Sequence, residues 1–166
     1  RLPELLRALG GLGGQFWIRL LYGYPTRVSD RLLEAMAEVP QVCPYLDVPI
    51  QHSHPAVLTA MRRADTIAAV GDLPRRARRA MPDVALRTTC LVGFPGETEP
   101  RFRHLLRHVA AAGYDHLGAF VFSPEAGTPA PDLPGRPRLA TAERRMQELL
   151  ALQRGLVEER NAAAAG

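Results

Sequence analysis

The sequence contains no lysine, so its 21 Lys+Arg residues are all arginine. This absence excludes a Schiff-base lysine and the lysine of a phosphate-binding P-loop from the chain. Cysteine is almost as scarce, because only Cys43 and Cys90 occur and they lie far apart. They provide neither a disulfide framework nor zinc-ligand spacing, and we predict no metal ligands in this chain. Such sparing use of cysteine is typical of a reducing, cytoplasmic setting.

Long hydrophobic runs are missing as well. No apolar stretch approaches the length needed to cross a bilayer, so we expect no membrane partner. The opening RLPELLRALGG has no initiator methionine and no apolar signal-peptide core. Because it begins in the middle of a helical pattern, we expect the chain to be an internal piece of a longer protein.

The residues that are present indicate a packed domain. Hydrophobic residues make up 46% of the chain and charged residues 23%, with a net charge of +4. This balance supports a hydrophobic core and argues against disorder. The densest basic run is RRARR at 75–79, and its composition favours a solvated helix face over a contact with RNA.

Apolar strands alternate with amphipathic helices along the chain. Strands are predicted at 16–21, 45–50, 84–92 and 116–122. Helices are predicted at 2–9, 30–38, 56–63, 67–81, 99–112 and 141–160, with a Pro/Gly-rich linker at 132–138 and an unstructured tail from 161. The alternation is typical of an α/β fold with a parallel sheet. An open doubly wound sheet and a segment of a barrel both fit it.

A polar or glycine-rich motif follows each predicted strand. The motifs are YGYP, QHSHP, GFPGET and SPEAGTP. In both candidate folds the functional site lies at the carboxyl ends of the strands, so four motifs in this position favour a ligand site. GFPGET alone leaves two interpretations open: a tight turn between strand and helix, or a backbone edge that a ligand approaches closely.

Arg87 lies on a strand that is otherwise apolar. A charged group in this position faces either a cavity or a partner, and Asp47 and Glu97 are the candidate partners. Gln51 and His52 directly follow the second strand and are candidates for a pocket.

The residues beyond them have simpler interpretations. His54 precedes Pro55 and is predicted to cap a helix rather than to bind metal. Arg62 and Arg63 either face solvent or present a guanidinium fork to a ligand carboxylate. Cys90 is predicted to be a small core residue.

Four blocks together resemble the radical S-adenosylmethionine methylthiotransferases. They are WIRLLYGYP at 17–25, YLDVPIQHSHPAVLTAMRR at 45–63, LRTTCLVGFPGET at 86–98 and GAFVFSPEAGTPA at 118–130, in the order and spacing of that family. The ending LLYGYP and the helix ERRMQELLALQ at 143–153 resemble the RimO type. In the MiaB-like branch, which modifies tRNA, that first strand usually ends in a Thr/Ser-Ser-His-Pro type of sequence.

The resemblance implies the later half of a partial (βα) radical-SAM barrel with parallel strands. Residues 1–131 would form the C-terminal part of the barrel. Residues 132–166 would form a linker and closing helix that lead to a C-terminal substrate-binding module. The implied cofactors are S-adenosylmethionine and [4Fe-4S] clusters. The CxxxCxxC signature of the family is absent from this chain, and we expect it upstream of Arg1.

The implied activity is methylthiolation of the β-carbon of an aspartate on a small-subunit ribosomal protein, with that protein and the ribosome as partners. Alternatives are methylthiolation of a tRNA adenosine and a non-catalytic, nucleotide-binding remnant. The chain alone is expected to be inactive and to leave strand edges unpaired. The residues implied to bind S-adenosylmethionine are Gln51, Arg87, Thr89, Gly93, Phe94, Gly96, Glu97 and Phe122.

Overall fold

The computed structural model describes residues 1–164. The strands are β1 (Ile18–Leu20), β2 (Val42–Asp47), β3 (Ala85–Val92) and β4 (His116–Val121). The α-helices are α1 (Leu2–Gly10), α2 (Asp30–Glu38), α3 (Pro55–Ala60), α4 (Ile67–Ala80), α5 (Glu99–Ala112) and α6 (Leu139–Ala164). Short 3-10 turns lie at Pro25–Arg27, Ala64–Thr66 and Ala130–Asp132.

The four strands form one parallel sheet in the order β1-β2-β3-β4. Each strand therefore pairs with the next in sequence, and the order never reverses as it does in a doubly wound sheet. The predicted α/β class and parallel pairing are confirmed. The unbroken order is that of a barrel segment, which decides between the two candidate folds.

The helices cover one face of this sheet. On β3 the side chains of Leu86, Thr88, Cys90 and Val92 are buried, while Arg87, Thr89 and Leu91 between them stay partly exposed. The buried set packs with α5 and α6 residues such as Phe102, Leu105 and Leu149. Successive side chains of a strand point to opposite faces, so the sheet has one covered face and one open face. Cys90 belongs to the core, as predicted.

The predicted bounds of β1 and β2 are wrong. β2 runs from Val42 to Asp47, three residues earlier than predicted, and β1 is only three residues long. Ile18 pairs with Val42 and Leu20 with Leu46, so β1 advances two residues while β2 advances four. The exposed Pro44 lies in this irregular part of the ladder, where a residue without an N–H donor is tolerated.

Two helix ends also differ from the prediction. α3 stops at Ala60 rather than at 63, because the chain turns into a left-handed conformation at Arg62. α6 begins at Leu139 and continues to Ala164, so the prediction of an unstructured tail from 161 is wrong for the residues up to 164. Alanine has the highest helix propensity, which favours this extension. Residues 165–166 lie outside the described residues.

The open face and the sheet edges expose apolar side chains. β1 and β4 are the edge strands, as expected for a partial barrel. Trp17 and Tyr22, which flank β1, and Phe120 on β4 are 82%, 77% and 60% exposed. None of the helices within residues 1–164 is long and apolar enough to span a bilayer.

Candidate functional site

A cavity of about 360 Å³ lies at the carboxyl ends of β2 and β3. Its volume is within the range of small-molecule sites, roughly 300–1,000 Å³. Most of its lining is apolar, and the polar groups are one amide and two guanidinium groups. The lining residues are Gln51, Ala60, Met61, Arg62, Arg63, Leu91, Phe94, Pro129, Ala130 and Leu133.

Gln51 and Phe94 are the two predicted site residues that line this cavity. Gln51 forms an isolated parallel bridge with Cys90, in which its N–H donates to the Thr89 carbonyl at 2.9 Å. Phe94 is 6% exposed and packs edge-on against Phe122, with ring centroids 4.9 Å apart. Phe122 thus supports the cavity wall from behind Phe94. Of the other lining residues, Pro129 and Ala130 end the block GAFVFSPEAGTPA, whereas no pattern in the sequence predicted that Leu133 lines the cavity.

Three residues other than glycine adopt a left-handed backbone: Tyr22, Gln51 and Arg62, with φ of 56°, 66° and 56°. This conformation costs about 1–2 kcal/mol for an ordinary L-residue. Tyr22 follows β1, Gln51 follows β2, and Arg62 lies in the cavity wall beyond α3. All three therefore lie beyond strand ends or in the cavity wall, where backbone strain is typical of functional sites.

Arg62 occupies a helix-end position that usually requires glycine. Its N–H donates to Thr59 O and the Arg63 N–H donates to Leu58 O, which together form a Schellman motif. Arg63 Nη2 donates to Pro49 O at 3.1 Å, and the guanidinium carbon lies 4.6 Å from the centre of the Tyr24 ring. Within residues 1–164 the Arg62 guanidinium forms no hydrogen bond or salt bridge. Arg62 is therefore the cation of the cavity that remains available to an anionic group.

Other parts of the chain pack against the turn at both of its glycines, Gly93 and Gly96. An ideal Cβ on Gly93 would lie 2.5 Å from the Ala142 Cβ of α6, and its φ of 76° is left-handed. Gly96 has a φ of 82°, and its N–H donates to Gly135 O at 3.0 Å. The glycines therefore allow a close approach of α6 and of the linker, while Phe94 between them faces the cavity.

Glu97 closes this turn from inside the core. The residue is 2% exposed, and its Oε2 accepts hydrogen bonds from the Gly93 N–H at 2.6 Å and from Arg145 Nη1 at 2.9 Å. His52 Nε2 lies 3.4 Å from Glu97 Oε1, and both side chains are fully buried. Glu97 and His52 therefore lie behind the turn rather than in the cavity. The pairing of Arg145 with Glu97 was not predicted from the sequence.

Arg87 and Thr89 lie deeper on the open face. Arg87 Nη1 is 3.0 Å from Asp47 Oδ2, so its partner is Asp47 and not Glu97. Thr89 pairs in register with Gly118. Neither residue lines the cavity that contains Gln51 and Phe94.

The histidines have structural partners. His54 Nδ1 accepts the Ala56 N–H at 3.1 Å, which confirms its predicted role as a helix cap. Burial lowers the pKa of His54, so the imidazole stays neutral and its Nδ1 can accept this hydrogen bond. No group of three or more His, Cys, Asp or Glu residues suited to a metal ion occurs within residues 1–164.

The basic run on α4 is only partly solvated, since Arg75 and Arg79 are exposed while Arg76 and Arg78 are partly buried. Arg75 pairs with Asp72, and Arg76 pairs with Asp30 and donates to Val28 O. Arg78 donates to the last carbonyls of α5. The run is therefore neither a purely solvated face nor a free cationic patch of the kind that RNA binding requires.

Comparisons with known proteins agree with this architecture. Residues 5–109 match the family model of the radical SAM superfamily. The chain matches coproporphyrinogen III oxidase (HemN) from Escherichia coli, described as a radical SAM enzyme, with a TM-score of 0.71 over 92% of this chain and 36% of that one. Sequence identity to that protein is 18%, so this match concerns the fold alone.

Closer relatives are known from sequence. The ribosomal protein uS12 methylthiotransferase RimO of Synechococcus sp. (strain RCC307) is 50% identical over all of this chain and 34% of the relative. The protein of the same name from Synechocystis sp. (strain ATCC 27184 / PCC 6803 / Kazusa) is 47% identical over all of this chain and 37% of the relative. The chain thus spans about a third of the length of these curated relatives. With its family-model match, its sheet topology and these identities, the chain belongs to the radical SAM superfamily, in its RimO-type branch.

Proposed function

We propose that the protein containing this chain is a cytoplasmic methylthiotransferase that modifies the β-carbon of an aspartate on ribosomal protein uS12. Two independent facts support the proposal. Relatives with that name are about half identical across the whole chain. A cavity suited to an amphiphilic cofactor lies at the strand ends, where α/β barrels bind their ligands.

The residues around the cavity fit S-adenosylmethionine. Leu91, Phe94 and Met61 offer apolar surface for an adenosyl group, and the Gln51 amide offers a donor and an acceptor. We assign the unpaired guanidinium of Arg62 to the carboxylate of the methionyl part, because a guanidinium binds a carboxylate through two parallel hydrogen bonds. Bound together with a [4Fe-4S] cluster, S-adenosylmethionine supplies radical chemistry at an unactivated carbon.

The remaining site residues act through their neighbours in this proposal. Gly93, Gly96 and Glu97 shape the turn that presents Phe94, and Phe122 packs behind its ring. Thr89 lies two residues before the lining residue Leu91, on the same face of β3. Arg87 is held by Asp47 and keeps the open face of the sheet ordered. We assign no residue of this chain to a cluster, because residues 1–164 offer no suitable ligand group.

The test uses the full-length gene product, reconstituted with iron and sulfide without oxygen. It is incubated with S-adenosylmethionine and either uS12 in the small ribosomal subunit or unmodified tRNA. We expect 5′-deoxyadenosine to form and one methylthio group to appear on an aspartate-containing uS12 peptide, read by mass spectrometry. Methylthiolated adenosine in the tRNA would transfer the proposal to the other branch. If neither substrate changes and no S-adenosylmethionine binds, the chain is a non-catalytic relative.

A further inference from the structure

We propose that Arg145 of α6 is a positioning residue for the cofactor site, and that it acts through the Glu97 carboxylate on the turn at 93–96. The inference rests on the proposed binding of S-adenosylmethionine at the cavity. It assigns part of that site to a helix that contributes no residue to the cavity lining.

The first step concerns the Glu97 side chain. Its Oε2 accepts the Gly93 N–H at 2.6 Å, so one carboxylate joins the beginning of the turn to its end. The carboxylate is fully buried, and a buried anion needs a cation or several donors to remain charged. The geometry of the turn therefore depends on what compensates this charge.

Arg145 is the charged partner of that carboxylate. Its side chain is 5% exposed, and Nη1 lies 2.9 Å from Glu97 Oε2 and 2.8 Å from the Glu97 carbonyl oxygen. Nη2 reaches Glu99 Oε2 at 3.3 Å, and the guanidinium carbon lies 5.4 Å from the centre of the Phe102 ring. One arginine thus holds the turn and the first residues of α5 against α6.

His52 is the weaker partner. Its Nδ1 accepts the His54 N–H at 2.9 Å, so in the neutral imidazole the hydrogen is on Nε2. That nitrogen lies 3.4 Å from Glu97 Oε1, but no well-formed hydrogen bond joins the two atoms within the described residues. Arg145 therefore supplies most of the compensation for the buried charge.

The turn also packs directly on α6. Gly93 faces Ala142 with no space for a side chain, and Ala142 lies one helical turn before Arg145. Phe94 follows Gly93 and lines the cavity. A change in the docking of α6 therefore moves the backbone that presents Phe94.

The test measures S-adenosylmethionine binding to the full-length, cluster-loaded protein by equilibrium dialysis. Arg145→Met should raise the dissociation constant by about tenfold or more, because the uncompensated Glu97 carboxylate releases the turn. Arg145→Lys keeps the charge and should restore part of the affinity. In the double variant E97Q/R145M neither charge of the buried pair remains, so it should bind more tightly than Arg145→Met alone. The exposed Arg144, whose partners are Glu148 and Glu99, provides the matched control Arg144→Met, with unchanged affinity.

Two further readouts separate the possible outcomes. The change in the electron paramagnetic resonance spectrum of the reduced cluster on adding S-adenosylmethionine should be weakened in Arg145→Met and restored in Arg145→Lys. Unchanged affinity in a folded Arg145→Met variant, or equal losses in Arg144→Met, would overturn the inference. If Arg145→Met does not fold, Arg145→Lys and E97Q/R145M decide, since wild-type affinity in both would also contradict it. Failure of the wild-type protein to bind S-adenosylmethionine would instead refute the proposed function, and this inference with it.

Discussion

Arg87 Nη1 lies 3.0 Å from Asp47 Oδ2 and joins β2 to β3 across the open face of the sheet. The Asp47 side chain is 1% exposed, while the Arg87 side chain is 36% exposed. The same oxygen accepts a long hydrogen bond of 3.4 Å from the Tyr22 N–H, whereas Oδ1 has no partner among the described residues. The buried carboxylate therefore depends on Arg87.

We expect Arg87→Met to destabilise the chain by about 3 kcal/mol, because it leaves the Asp47 charge buried without a charged partner. Urea unfolding followed by circular dichroism measures this change. The double variant D47N/R87M removes the charge together with its partner and should recover part of the loss. A loss below about 0.5 kcal/mol in Arg87→Met would mean that solvent compensates the carboxylate.

Arg62→Ala should weaken S-adenosylmethionine binding to the full-length protein by about tenfold, since a hydrogen-bonded ion pair contributes roughly 1.5–3 kcal/mol. The free energy of unfolding should change little, because the left-handed backbone has a similar free-energy cost for Ala and for Arg. The control is Arg79→Ala, because Arg79 is an exposed arginine of α4 that does not line the cavity. Equal affinities of Arg62→Ala and the wild-type protein would remove Arg62 from the site.

Gly93→Ala should destabilise the chain by about 3 kcal/mol, because a methyl group would meet Ala142 and a left-handed backbone would be imposed on alanine. Gly127→Ala is the matched control. Gly127 has a similar φ of 79°, but no atom lies within 4 Å of the added carbon. We expect a loss of about 1 kcal/mol there, from backbone strain alone. Equal losses in the two variants would show that the contact with α6 contributes nothing.

His108 should make stability depend on pH in the acidic range. Burial, followed by the neighbouring charges of His104 and His52, lowers the pKa of His108 from 6.5 to about 4. Between these values the unfolded chain binds a proton that the folded chain does not, so stability is complete above pH 6.5 and falls as the pH approaches 4. The loss amounts to at most about 3 kcal/mol.

His108→Gln is the variant that tests this dependence. It should flatten the slope of unfolding free energy against pH between 6.5 and 4, measured in urea at a series of pH values. Tyr114 OH lies 3.2 Å from His108 Nε2, and burial raises the pKa of that phenol, so it stays protonated throughout this range. An unchanged slope in His108→Gln would assign the pH dependence to other groups.

The sequence predicted those parts of the fold that depend on local pattern. β3 begins at Ala85, one residue from its predicted start, because its buried face is mostly apolar and the glycine turn ends it. The cap at Ser29 also follows from local chemistry, and its Oγ accepts the Leu32 N–H at 3.2 Å. Thr98 is the same type of capping residue, directly before α5. It occupies the N-cap position of α5, but its side chain makes no capping hydrogen bond.

The parts that could not be predicted depend on contacts between distant residues. The sequence left open whether GFPGET is a tight turn or a backbone edge that a ligand approaches, and the group nearest to Gly93 is Ala142 of α6. Arg145 lies in a helix with many arginines, and nothing local distinguishes the buried one from its exposed neighbour Arg144. Arg62 carries no signal for a left-handed backbone, because glycine or asparagine is the usual residue there.

The left-handed residues Tyr22, Gln51 and Arg62 have a consequence for protein engineering. Glycine at any of these positions would relieve roughly 1 kcal/mol of backbone strain, so a screen for thermal stability alone would favour it. Two of the three are cavity residues, Gln51 and Arg62. Variants selected for heat resistance would therefore lose cofactor affinity first, and a stabilised form of this protein should keep these two side chains fixed while other positions vary.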